Sequence, residues 1–231
     1  MPVTTNSELA LEQFETAMLA FDQIKFELAY HNLQLAIEED PNFFMAHFWQ
    51  YFMSSKSPDK VADCIMNIDT ELSDGETEIM LAFKFLVSGE NEKVVAHLTK
   101  ATELYPKDPH VHKILYILQW RFLNDVEGAV ASMKRAIEEI PDYPLVYNQL
   151  GYAMMDLEEF DKAEEAFDTY MSLAPDIANP YDSKGDYFMA TEQYGAAYES
   201  YMKAYEIDSS FTMSAKKAKK ARQMEQQLPE P

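Results

Sequence analysis

The chain has 231 residues, 47% of them hydrophobic and 26% charged, which is a globular composition. Its formal charge of −21 repels nucleic acid and anionic membranes, so neither is an expected partner. One cysteine, Cys64, excludes an internal disulfide and a cysteine-built metal site, and six glycines are too few for a strand-rich fold with tight glycine turns or for a glycine-rich phosphate loop.

Residues 1–9 read as an N-terminal arm. The opening Met1-Pro2-Val3-Thr4-Thr5 has no basic stretch followed by an apolar run, so no signal peptide is expected within it. Residues 10–43 read as a helix pair with Ala17, Phe26, Ala29, Leu33 and Ala36, closing on Pro41. Residues 44–74 read as a shorter, degenerate pair. Its first helix is expected from Phe44 to Ser55, its turn at Ser54 to Asp59 and its second helix from Val61 to Ile68. The apolar neighbours of Cys64 make it an expected small buried hydrophobe. Residues 75–109 form the next pair, with Ala82, Phe85, Gly89, Val94, Leu98, Ala101 and Pro106, and one extra residue before the unit that follows. Residues 110–143, 144–177 and 178–211 repeat every 34 positions. A last helix is expected over 212–226. Lys216, Lys217, Lys219, Lys220 and Arg222 make it a basic cap on an acidic final repeat, followed by a tail at 227–231. The longest apolar stretch, Ile79 to Val87, is broken by Lys84 and falls far short of the roughly 20 residues a membrane span needs.

The period carries the fold assignment. Pro41, Pro106, Pro141 and Pro175 are separated by 65, 35 and 34 residues. Aligning on them brings Tyr147, Leu150-Gly151, Met154, Ala163 and Phe167 over Tyr181, Lys184-Gly185, Phe188, Ala197 and Tyr201, with Tyr116, Trp120, Ala129 and Met133 one unit earlier. This pattern resembles the tetratricopeptide repeat. The resemblance implies an all-α, right-handed superhelical solenoid of antiparallel helix pairs, with five recognisable repeats, one degenerate repeat and a capping helix. Small residues at Ala17, Ala82, Ala129, Gly151, Ala163, Gly185 and Ala197 are expected where helices approach closely. Proline closes each second helix because it cannot continue one and restricts the residue before it.

No catalytic constellation is visible. HExxH, Gly-x-Ser-x-Gly and the phosphate-loop pattern do not occur. His110 and His112, the one close histidine pair, point in different directions on a helix and chelate poorly. Carboxylate pairs such as Glu138-Glu139 and Glu164-Glu165 are expected on solvated outer faces. The chain is therefore read as a non-enzyme that needs no cofactor or metal.

The resemblance also implies where function sits, since the first helix of each pair lines a concave groove in this family. The equivalent positions are Phe14 and Met18, then Phe48 and Phe52, then Phe83 and Leu86. Ile114, Leu118 and Arg121 follow, then Asn148, Tyr152 and Met155, and finally Asp182 and Asp186. Family members that grip acidic chaperone tails carry Lys, Asn and Arg there, so that use is not expected. An apolar groove suits an amphipathic or apolar peptide or helix of a partner protein. Methionines let such a surface adapt, and the acidic end would favour a basic ligand residue. The alternative within the fold is that these apolar residues close on one another as core. The alternative function is a self-assembling subunit, a homodimer formed through the apolar face or the basic last helix.

The opening Pro2 to Glu8 and the segment Ala178-Asn179-Pro180-Tyr181-Asp182-Ser183 are also similar to repeat proteins of unassigned role in bacteria of the Bacteroidetes type. Such an opening there follows a removed signal peptide. That resemblance implies an extracytoplasmic, periplasmic location; without it the expectation is cytoplasmic.

Overall fold

A computed structural model describes residues 1–53 and 58–227, without the side chains of 58–61. The turn expected at 54–57 and the tail residues 228–231 lie outside the described residues. Those described form thirteen α-helices, one π-helical turn and no strand. In order they are α1 (Glu8–Asp22), α2 (Phe26–Glu39), α3 (Phe44–Met53), α4 (Pro58–Met66), α5 (Asp74–Ser88), α6 (Asn91–Leu104) and α7 (Pro109–Ile117). The π turn (Leu118–Phe122) comes next. It is followed by α8 (Val126–Glu139), α9 (Pro144–Asp156), α10 (Phe160–Leu173), α11 (Ala178–Ala190), α12 (Tyr194–Ile207) and α13 (Thr212–Glu225). The chain divides into two compact units, unit 1 from Met1 to Val111 and unit 2 from His112 onward. Within them α1 packs on α2, α5 on α6, α9 on α10, α11 on α12 and α12 on α13.

Among the described residues, five helix pairs turn through one residue in the left-handed region. Ile24, Gly89, Asn124, Glu158 and Glu192 have φ of 61°, 77°, 54°, 58° and 60°. Their spacings are 65, 35, 34 and 34, the period of the prolines. Only one is glycine, so a glycine-poor chain still makes five tight turns, at a cost of roughly 1–2 kcal/mol for each side chain held there. Four turns close with the same backbone bond, from Lys25 to Ala20, Glu90 to Phe85, Glu159 to Met154 and Gln193 to Phe188. This is the Schellman pattern. The fifth is wider. Leu123 N–H reaches Leu118 and Asp125 N–H reaches Gln119 at 2.8 Å. The extra residue that the sequence alignment places before residue 110 is taken up here, as a π turn inside the first helix of the next repeat.

In the α9–α10 and α11–α12 pairs, a residue on the first helix faces one sixteen positions later on the second. A Cβ on Gly151 would stand 2.6 Å from the Phe167 ring, and one on Gly185 would stand 2.5 Å from the Tyr201 ring. The same register pairs Ala17 with Leu33 and Ala82 with Leu98, all four buried. Volume is conserved: where the first residue shrinks from alanine to glycine, the second grows from leucine to an aromatic ring.

The next contact in the register ties the repeats together. Tyr147 and Tyr181 donate their hydroxyls to the carbonyls of Pro141 and Pro175 at 3.0 and 3.1 Å. In unit 1 the buried His47 makes the equivalent bond, Nε2 to the Pro41 carbonyl at 3.0 Å. Burial holds the His47 imidazole below its ordinary pKa, against the opposing pull of that carbonyl and of Asp40.

Two expectations for the degenerate repeat change. Its second helix runs Pro58–Met66 rather than from Val61 to Ile68, since proline suits a first helical turn. Cys64 is exposed, not buried. The inward position on α4 is Ile65, and one residue along a helix turns a side chain by about 100°.

The arm is bound in extended form along unit 1. Asp40 accepts from Thr5 Oγ1 at 2.7 Å and from Asn6 N–H at 2.9 Å. Glu76, fully buried, accepts from Thr4 N–H at 2.8 Å and caps α5 through Ser73 N–H at 3.0 Å. The Met1 amino group pairs with Asp108, and the Met1 side chain fills the space that Gly75 leaves by lacking a Cβ.

Candidate functional site

The positions expected to line a groove behave differently in the two units. In unit 1, Phe14 and Met18 on α1, Phe48 on α3 and Phe83 on α5 are buried, Phe48 to 1% and Phe83 to 0% exposure. Phe52 and Leu86 are half-buried. Phe48 sits at the centre of a ring lattice, 4.9 Å from Phe52, 5.9 Å from Phe44 and 6.2 Å from both Trp49 and Phe83. Tyr51 closes it against Phe52 and Phe83 at 5.1 and 5.0 Å. Phe14 packs on Phe43 at 5.0 Å. These side chains spend their apolar area on each other. The indole N–H of Trp49 is buried in this lattice with no hydrogen-bond partner among the described residues.

In unit 2, Ile114 on α7 and Leu118 in the π turn are buried. Arg121, also in the π turn, is exposed and lies over the Trp120 ring at 3.7 Å from its centroid. Trp120 is itself anchored, its indole N–H donating to Asp156 at 2.8 Å. No carboxylate pairs with Arg121 among the described residues. On α9, Asn148 is buried to 3% exposure and its Oδ1 has no hydrogen-bond donor among the described residues, while Tyr152 and Met155 are half-buried.

The acidic end is satisfied from within unit 2. Asp186 accepts from Tyr152 Oη at 2.8 Å and from Tyr201 Oη at 2.7 Å. Lys217 Nζ on α13 lies 2.7 Å from Asp182 and 2.9 Å from Asp186, and Ser214 also donates to Asp182. Burial pulls the Lys217 ammonium down, but the two carboxylates outweigh it and hold its pKa above the ordinary lysine value. Burial and the Asp186 charge keep both tyrosine hydroxyls protonated far beyond neutral pH. Asp182 and Asp186 are thus a seat for the last helix. Their place on a first helix follows from the repeat register, and the expected basic cap on the acidic final repeat supplies their partner, Lys217. Lys217 stands 35 residues after Asp182, one more than the 34-residue repeat step.

The family model of the tetratricopeptide repeat matches residues 145–177 and 178–211. No curated protein matches the chain. Among solved structures, the chain is similar to a thermophilic tetratricopeptide-repeat protein of Thermus thermophilus, at 15% identity over 92% of this chain and 98% of that one, with a TM-score of 0.57. It is also similar to a chain of the APC/C hetero-tetramer Cut9–Hcn1, at 15% identity over 92% of this chain and 42% of that one, with a TM-score of 0.51. Likeness at this level establishes the fold, an all-α arrangement of helix-pair repeats.

Proposed function

As the chain is a tetratricopeptide-repeat protein, we propose that it is a non-catalytic scaffold for protein–protein interaction, holding an amphipathic or apolar peptide of its partner along the first helices of unit 2. The observation that carries this reading is the unmet acceptor Asn148 Oδ1 beside half-buried Tyr152 and Met155. A buried acceptor without a donor costs about 1–3 kcal/mol, and a peptide N–H laid against α9 would recover it. Tyr152 and Met155 offer apolar area that adapts to the ligand's side chains. Arg121, pre-positioned on Trp120, takes a carboxylate or carbonyl of the same peptide; arginine and tryptophan are the residue types that dominate interface energies. The partner is therefore a protein segment in which apolar residues alternate with at least one acidic one.

Selection of a displayed random peptide library against the intact protein tests this. The expected result is enrichment of apolar peptides bearing an acidic residue, whose binding falls tenfold or more in Arg121→Ala and in Met155→Glu at unchanged helicity. Peptides that bind both variants as well as the parent, or no enrichment at all, would overturn it.

A further inference from the structure

We propose that two copies of this chain join head to tail, the outer face of α13 on one copy docking against the outer face of α1 on the next. This contact is separate from the peptide face of unit 2 and does not depend on it. The outer stripe of α1 is exposed and carries Glu8, Leu9, Glu12, Glu15 and Leu19 at helical spacing, with Leu19 61% exposed. The outer stripe of α13 is exposed and carries Met213, Lys216, Lys219 and Lys220, with Met213 60% exposed. Among the described residues, none of these three glutamates or three lysines makes an ion pair. The remaining cations of α13 are already engaged: Lys217 holds Asp182 and Asp186, and Arg222 pairs with Glu225 at 3.0 Å and lies over Tyr198.

The two stripes match in three ways. They are nearly equal in length, 15 residues on α1 and 14 on α13. Their outward charges are three negative against three positive. Leu9 and Leu19 on α1 and Met213 on α13 are exposed apolar side chains that a partner would cover. In a chain of charge −21, three unpaired lysines on one helix face are the strongest local attraction one copy offers to another. The faces are different surfaces, so the contact is heterologous and strengthens with concentration. Exposed ion pairs contribute only about 0–1 kcal/mol each and are screened by salt, so the joint is weak and ionic-strength dependent.

The experiment is light scattering behind size exclusion on the full chain, at rising concentration and at low and high salt. Two charge-reversed variants accompany it, Glu12→Lys with Glu15→Lys on α1, and Lys216→Glu with Lys219→Glu and Lys220→Glu on α13. The wild type is expected to show a mass that climbs with concentration at low salt and falls toward the monomer at high salt. Each variant alone should stay monomeric at unchanged helicity. Mixed one to one, the variants should associate again, because each reversed face then meets its complement on the other. A wild type that is monomeric at every concentration at low salt would overturn the proposal. So would variants that associate like the parent, or a mixture that stays monomeric.

Discussion

Unit 1 and unit 2 meet the same repeat register with different chemistry. Unit 2 uses the repeat's own contacts: glycine against a large ring at Gly151–Phe167 and Gly185–Tyr201, and tyrosine hydroxyls on the closing prolines. Its first helices keep half-open side chains at Tyr152 and Met155. Unit 1 fills the equivalent positions with phenylalanines that pack on each other, puts His47 in the tyrosine position and binds the arm along three successive helix starts. The same register positions form a packed ring lattice in unit 1, while in unit 2 Ile114, Leu118 and Asn148 are buried and Tyr152 and Met155 are half-buried.

A large effect is expected where unit 1 departs most from the repeat. Glu76→Leu leaves the backbone N–H groups of Thr4 and Ser73 without their acceptor, and should cost about 3 kcal/mol in chemical denaturation. The same substitution should raise the susceptibility of residues 1–7 to proteolysis. In unit 2, Gly151→Ala drives a methyl into the Phe167 ring and should cost roughly 1–3 kcal/mol, as should Ala163→Leu by overpacking. Adding Phe167→Leu to Gly151→Ala recreates the Ala82–Leu98 pairing of unit 1 and should recover most of that loss. A double variant no better than the single one would break the volume-exchange account.

Smaller effects sharpen the comparison at the turns and in its pH dependence. Ile24 is a β-branched residue at φ 61°, so Ile24→Gly should stabilise unit 1 by about 1 kcal/mol. The His47 imidazole is held below its ordinary pKa. As pH falls through about 6.5 the unfolded chain takes a proton that folded His47 refuses, and stability declines with acidity until the lower folded value is reached. Asp40, the charged group beside it, is also held low and stays ionised through that window; burial works against this, and the bonds from Thr5, Asn6 and Asn42 prevail. His47→Tyr restores the residue used at Tyr147 and Tyr181. It should flatten the stability profile below about pH 6.5 relative to the wild type.

The fold was legible because its signals are periodic. Proline spacing and the small residues at Gly151 and Gly185 state the register, and α13 at Thr212–Glu225 falls where a new repeat would start. The π turn was not legible, since a single inserted residue in Leu118–Phe122 leaves composition and periodicity nearly unchanged. The exposure of Cys64 was missed because its neighbours are apolar on all sides in sequence, while a helix sorts them by angle. At the candidate site the positions could be listed from the register, but not their burial. Whether Phe48 faces a ligand or Phe83 depends on how closely α3 and α5 approach, and only the structure fixes that.

The most direct test of this division is a matched pair of thermal melts followed by circular dichroism, Phe48→Glu against Met155→Glu. Phe48 is 1% exposed within a ring lattice, so a charge there should cost more than about 4 kcal/mol and remove the folded signal of unit 1. Met155 is half-buried, so the same charge there should cost less than about 1 kcal/mol. Equal midpoints for the two variants, or a near-wild-type melt for Phe48→Glu, would contradict the placing of Phe48 in the core of unit 1 and of Met155 at a partly open position in unit 2.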